Sequence, residues 1–176
     1  WAAEPELLTR LPKERVQVAL DSRDGEIVTH GWRKRSGRSV TARIQELKGL
    51  CGGFLLTFVE REGKLGGTDL EQAARFVEAA GPTRVTIAGG VTTADEVAIL
   101  DRLGADAQVG MALYNGQLPL DAAFTAPLVS DRADGLWPTV VSNERGTSLG
   151  LAYSSPASLA EALRSGRGVY QSRRRG

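Results

Sequence analysis

Asp21, Thr57, the pair Gly89–Gly90 and Gly110 share one placement: each stands at or beside the end of a short apolar run. The runs are "RVQVALD" (15–21), "GFLLTF" (53–58), "TRVTIAG" (83–89) and "ADAQVG" (105–110). Glycines at such ends let backbone N–H groups approach a ligand, because no Cβ stands in the way. Where a helix follows, its unpaired amide donors favour an anion. "TIAGGVTTADEVAIL" (86–100) and "QVGMALYNG" (108–116) both have that order, which makes Gly89, Gly90, Gly110 and Met111 candidate anion ligands. A tight turn alone would explain one glycine pair. Two consecutive strand ends of this kind favour a phosphate site of the type built in (β/α)8 barrels.

The elements that position these residues alternate. Short continuous apolar runs suit strands buried on both faces, as in a parallel sheet. Val40, Ile44, Leu47 and Leu50 form a helical stripe after the first run. Leu70, Ala73, Ala74 and Val77 form a second, and Val97, Leu100 and Leu103 a third. The fourth run leads into "MALYNG" and then "LPLDAAF". This β-α alternation, four times over residues 15–125, indicates an α/β fold. Thr93 and Glu96 have capping-box spacing at the third helix. Strand-to-helix connections are long and polar, "SRDGEIVTHGWRKRSGRS" and "VEREGKLGGT", whereas helix-to-strand connections are short. In parallel α/β proteins the functional face lies at the carboxyl ends of the strands.

The pattern changes near "VSDRAD". "TVVSNERGTSLGLAYSS" reads as two strands joined by a turn at Asn143–Gly146, and "GVYQS" as a third short strand. "SPASLAEALRSG" reads as a helix with Ser155 as N-cap and Pro156 at its first position. Two domains are therefore expected: residues 1–127, and an α+β segment over 128–176.

Composition narrows the function classes. Of 176 residues, 41% are hydrophobic and 24% charged, which suffices for a buried core. A formal charge of +1 gives no large electrostatic footprint for nucleic acid. Cys51 is the sole cysteine, so the chain has no internal disulfide and no multi-cysteine zinc site. No apolar run approaches the ~18 residues of a membrane span. A reducing, cytoplasmic setting is expected. The chain begins at Trp1, not Met, and is expected to be a fragment.

Residues 15–125 resemble the C-terminal half of the phosphoribosylformimino-aminoimidazole-carboxamide ribotide isomerase of histidine biosynthesis. The matching stretches are "VALDSRDGEIVTHGW", "LLTFVEREGKLGG", "IAGGVTTADEVAIL" and "VGMALYNGQLPLDAA", and "HGW" favours the isomerase over its cyclase relative. The resemblance implies half of a (β/α)8 TIM barrel with four β-α units, followed by a partial α+β domain. It implies a phosphoribosyl substrate and an Amadori rearrangement needing two carboxylates and no metal or cofactor. Asp21 would contact and orient the sugar, Thr57 would be a site threonine, and Glu62 would align with the aspartate used as general acid. Trp32 would stack on the substrate, and Gly89, Gly90, Gly110 and Met111 would hold phosphate. His30 is expected to pack or hydrogen-bond, and Cys51 to be buried filler.

Two departures stand out. Glu62-Gly63-Lys64 replaces aspartate-glycine-threonine, which carries the carboxylate one methylene farther out, and Phe58 stands where an acidic or small residue is usual. The family's general base ends a first barrel strand upstream of this sequence. The chain alone is therefore expected to lack turnover, with its missing half-barrel as partner. Residues 134–176 resemble the start of phosphoribosyl-AMP cyclohydrolase, with the rest of that domain expected downstream. "LGLAYSS" and "GRGVYQSRRRG" carry that likeness, and Arg173 falls in a basic segment able to meet substrate phosphate. A complete cyclohydrolase implies zinc and magnesium, whose ligands are not in this sequence. The rival reading is a non-catalytic phosphate-binding or scaffolding half-barrel module.

Overall fold

The chain divides into two compact units, Trp1–Leu118 and Pro119–Gly176. The structure, a computed structural model, describes residues 6–172. In the first unit a short helix α1 (Glu6–Thr9) and a 3-10 turn (Lys13–Arg15) lead into β1 (Gln17–Arg23). Then come β2 (Glu26–Thr29), β3 (Lys34–Ser39), α2 (Val40–Leu47), β4 (Gly53–Phe58) and α3 (Leu70–Ala80). β5 (Arg84–Ala88), α4 (Ala94–Leu103), β6 (Ala105–Gln108) and the single turn α5 (Met111–Tyr114) complete it.

One sheet holds all six strands in the order β3-β2-β1-β4-β5-β6. β1, β4, β5 and β6 are parallel. This is an α/β fold with a parallel core, consistent with part of a (β/α)8 barrel. Strand alternation sends one set of side chains to each face. Val18, Phe54, Val85 and Ala105 pair across the sheet and are buried, and Leu20, Leu56 and Ile87 form the next row. Helices supply Val40, Ile44, Leu47, Phe76, Ala80 and Leu100 to the same core. On the opposite face Gln17, Ala19, Asp106 and Gln108 are exposed.

The expected long loop after Asp21 is a correction. β1 runs on to Arg23, and β2 and β3 return as an antiparallel meander. Asp24 and Gly25 both take positive φ, +53° and +77°, which matches the twist of a two-residue hairpin. Every residue of β3 is exposed, so no apolar alternation marks it in the sequence.

The second unit begins earlier than the expected boundary, because α6 (Leu120–Thr125) packs with α7 (Pro156–Ser165). The fourth β-α unit is thus reduced to β6 and α5. β7 (Trp137–Ser142) and β8 (Ser148–Ser154) form the expected hairpin. Asn143 Oδ1 accepts from the Arg145 and Thr147 amides, and Gly146 takes a φ of +76°. Ser155 caps α7 with Pro156 at its first position. "GVYQS" is not a strand: Gln171 N donates to Tyr153 O at 2.7 Å, but one bond does not make a ladder. Among the described residues no helix is long and apolar enough to cross a membrane.

Leu56 lies at the centre of the parallel core and is fully buried. Leu56→Ala is expected to cost about 2–5 kcal/mol of stability in urea unfolding. Ala19→Ser, on the open face, should change it by less than about 0.5 kcal/mol.

Candidate functional site

The register brings four residues into one row at the carboxyl edge. Asp21 pairs with Thr57, Thr57 with Ala88, and Ala88 with Gln108. Side chains so paired in a parallel sheet point to the same face, here the one without the helix layer. Phe58, the next residue, therefore points the other way. It is fully buried and its ring stacks on Phe76, with centroids 5.7 Å apart. The unusual residue at position 58 serves packing and leaves the row unchanged.

Beside the row lies an open cleft. Its walls include Glu62, Gly89, Gly90, Gln108, Gly110 and Met111. Among the described residues, none accepts a hydrogen bond from the amides of Gly89, Gly90, Gly110 or Met111. Both glycine-bearing strand ends thus line one cleft with residues whose amides are unpaired. Gly110 has open space where a Cβ would stand. Gly89 and Gly90 have a further reason to be glycine. Both take positive φ, and a Cβ on either would strike backbone, Phe58 O or Gly67 O respectively.

One expectation about this turn is corrected. At the amino end of α4 the amides of Thr92, Thr93 and Glu96 are already engaged within the chain. Glu96 Oε2 accepts from Thr92 N at 2.9 Å and Thr93 N at 3.0 Å, and from both threonine hydroxyls. Its Oε1 accepts from Thr68 N at 2.6 Å. Thr93 Oγ1 accepts from Glu96 N, completing the expected capping box. The carboxylate ties the loop after β4 to the glycine turn after β5. Burial disfavours its charge, but the hydrogen bonds from Thr92, Thr68 and Thr93 outweigh that and hold the carboxyl below the ordinary glutamate value. The capping-box spacing signalled the local half of this clamp; nothing in the sequence pointed to Thr68.

Trp32 contacts the row directly. Its Nε1 donates to Asp21 Oδ2 at 2.8 Å, and its side chain belongs to a residue 39% exposed. His30 Nδ1 lies 3.0 Å from Thr29 Oγ1, an exposed local contact. Cys51 is buried, which pushes its thiol up. Arg173 lies outside the described residues. Among the described residues no three His, Cys, Asp or Glu side chains gather so as to hold a metal ion. Zinc and magnesium therefore find no fitting donor set here, and no step is derived through them.

Fold and site together define an α/β protein with a parallel sheet, whose carboxyl edge presents a carboxylate–threonine pair and an amide-lined cleft. The chain belongs to the histidine biosynthesis protein family, whose model matches residues 3–119. It is 36% identical over 130 residues to a phosphoribosyl imidazole-4-carboxamide isomerase of Methanocorpusculum labreanum, covering 70% of this chain and 54% of that protein. The isomerase of the same name from Haloarcula marismortui is 38% identical over 129 residues, 69% of this chain and 51% of the relative. A histidine biosynthesis trifunctional protein of Neurospora crassa is 39% identical over 110 residues, 62% of this chain and 11% of that protein. The chain spans about half the length of the curated isomerases it matches.

Glu96 makes the clamp acid-sensitive. Its folded value lies below the ordinary 4.5, so its stabilisation is complete above that pH and is lost as pH falls through the folded value. Wild type is therefore expected to lose more urea stability than Glu96→Gln between about pH 5 and pH 3.

Proposed function

We propose that this chain is the phosphate-binding and acid-bearing half of an isomerase that carries out an Amadori rearrangement of a phosphoribosyl aminoimidazole carboxamide intermediate in histidine biosynthesis. The observation that carries this reading is the cleft lined by residues of two neighbouring strand ends, whose amides are unpaired, together with Glu62. In this reading the amides of Gly89, Gly90, Gly110 and Met111 take the terminal phosphate oxygens, and the ribose extends over the sheet edge toward Asp21 and Thr57. The named activity of the two isomerase relatives supports the substrate class.

The reaction needs a proton delivered to the ring oxygen and a proton removed from C2. Glu62 is the group that protonates the ring oxygen as the furanose opens. Asp21 and Thr57 hold the sugar hydroxyls so that C2 stays presented to the base. That base is contributed by a further strand end of a complete barrel, and the chain alone turns over slowly or not at all. The long glutamate arm at position 62 places the acid farther out than an aspartate would. Misplacement of about 1 Å costs on the order of 100-fold in rate, so Glu62 lowers turnover without abolishing binding. In the second unit we propose that residues 128–176 begin a phosphoribosyl-AMP cyclohydrolase domain. The likeness carried by "LGLAYSS" and "GRGVYQSRRRG" supports this reading.

Met111 is 51% exposed at the first position of α5, where an acidic residue does not disturb the helix. Met111→Asp is expected to weaken binding of the ribosyl bisphosphate substrate at least about tenfold in calorimetry, with the unfolding midpoint unchanged. Undiminished binding would remove the phosphate from this cleft. Glu62→Asp, placed in the protein with a complete barrel, is expected to raise kcat by about tenfold or more. Phosphate binding with no turnover in either form would favour the alternative, a scaffolding module that binds phosphate without catalysis.

A further inference from the structure

Three consecutive residues, His30, Gly31 and Trp32, take φ of +56°, +65° and +68°. Glycine accepts that region freely; histidine enters it at a cost, and for a residue as bulky as tryptophan it is an outlier that its surroundings must enforce. The β2–β3 connection holds few such restraints. Arg33 N donates to Thr29 O, and His30 contacts Thr29 next to it in sequence. The long-range restraint on the tip is the bond from Trp32 Nε1 to Asp21 Oδ2, 11 residues away in sequence. Asp21 stands in the row beside Thr57, and Ala88 and Gln108, farther along the same row, line the cleft.

We propose that Trp32 is a positioning residue for Asp21. Its indole N–H holds Oδ2 and fixes the carboxylate in one rotamer, so that Oδ1 is the oxygen presented to substrate. Among the described residues Oδ1 accepts no hydrogen bond. An indole suits this role because it is a donor with no acceptor, so it cannot compete for a substrate hydroxyl. Its partly exposed ring leaves a planar substrate group room to lie against it as well. The hairpin's strained tip is then explained: the chain accepts left-handed backbone at Trp32 because that is what brings Nε1 to the carboxylate. The consequence for turnover rests on the isomerase reading; the positioning contact does not.

Two readouts need no turnover. In 1H–15N spectra of the chain, the Trp32 indole proton is expected to exchange with solvent about tenfold faster in Asp21→Ala than in wild type. Asp21→Asn, which keeps a side-chain oxygen acceptor, should restore most of that protection. Three-bond couplings should show Asp21 in one χ1 rotamer in wild type and averaged in Trp32→Phe, which keeps a ring but loses the N–H. Equal indole exchange in wild type and Asp21→Ala, or a single Asp21 rotamer in Trp32→Phe, overturns the proposal. In the protein with a complete barrel, Trp32→Phe is expected to lower kcat about tenfold with KM within about twofold. A raised KM with kcat intact would mean that Trp32 only stacks, and would also overturn it. No turnover in wild type counts against the isomerase reading and leaves the two spectroscopic readouts to decide this one.

Discussion

The side chain of Glu96 is the bond on which the cleft depends. One carboxylate accepts from Thr68 on one loop and from Thr92 and Thr93 on another, and so fixes the distance between them. That arrangement also sets the electrostatics. The Glu96 carboxylate lies against the positive end of α4 and partly offsets it. The amides of Gly89, Gly90, Gly110 and Met111 take no part in that clamp. The glycine pair serves both ends of this arrangement. It lets the Phe58 and Gly67 backbones pack tightly against the turn, while both glycines line the cleft with amides that no acceptor among the described residues takes up.

Strand alternation divides the remaining labour. At each carboxyl end one residue faces the open row and the next faces the helices. Asp21 and Thr57 take the first role; Ser22 and Phe58, both fully buried, take the second. Ser22 Oγ donates to Gln72 Oε1 at 3.2 Å, and Phe58 stacks on Phe76, so both anchor α3 beneath the row. The chemistry-bearing face is thereby held by side chains pointing away from it. Substitutions on the helix side, such as the phenylalanine at 58, can vary with packing without entering the site.

What the sequence revealed followed from how local each feature is. β4 and β5 were legible because they are mostly apolar runs closed by turn residues, and β6, with Asp106 and Gln108 exposed, by its place in the β-α alternation. The stripes of α3 and α4, the Thr93–Glu96 box and the Ser155 cap were legible because their partners lie within one helical turn. β2 and β3 were not, because β3 is polar and exposed throughout, although Asp24–Gly25 is a strong hairpin signal. The allegiance of α6 is not local: the helix is short, and its packing is on α7, some thirty residues on. Within the site, the glycines and the carboxylate–threonine pair were visible as strand ends. The bond from Trp32 to Asp21 and that from Thr68 to Glu96 were not, since both join segments that only the fold brings together.

The central claim is that amides at two adjacent turns jointly bind one phosphate. Titrating the 15N-labelled chain with ribose 5-phosphate and following backbone amide shifts tests it most directly. The account predicts saturable shifts in which Gly89, Gly90, Gly110 and Met111 move together with one dissociation constant, while Thr92 and Thr93, bonded to Glu96, move far less. Saturable shifts centred on Thr92 and Thr93, or shifts at one turn without the other, would contradict it.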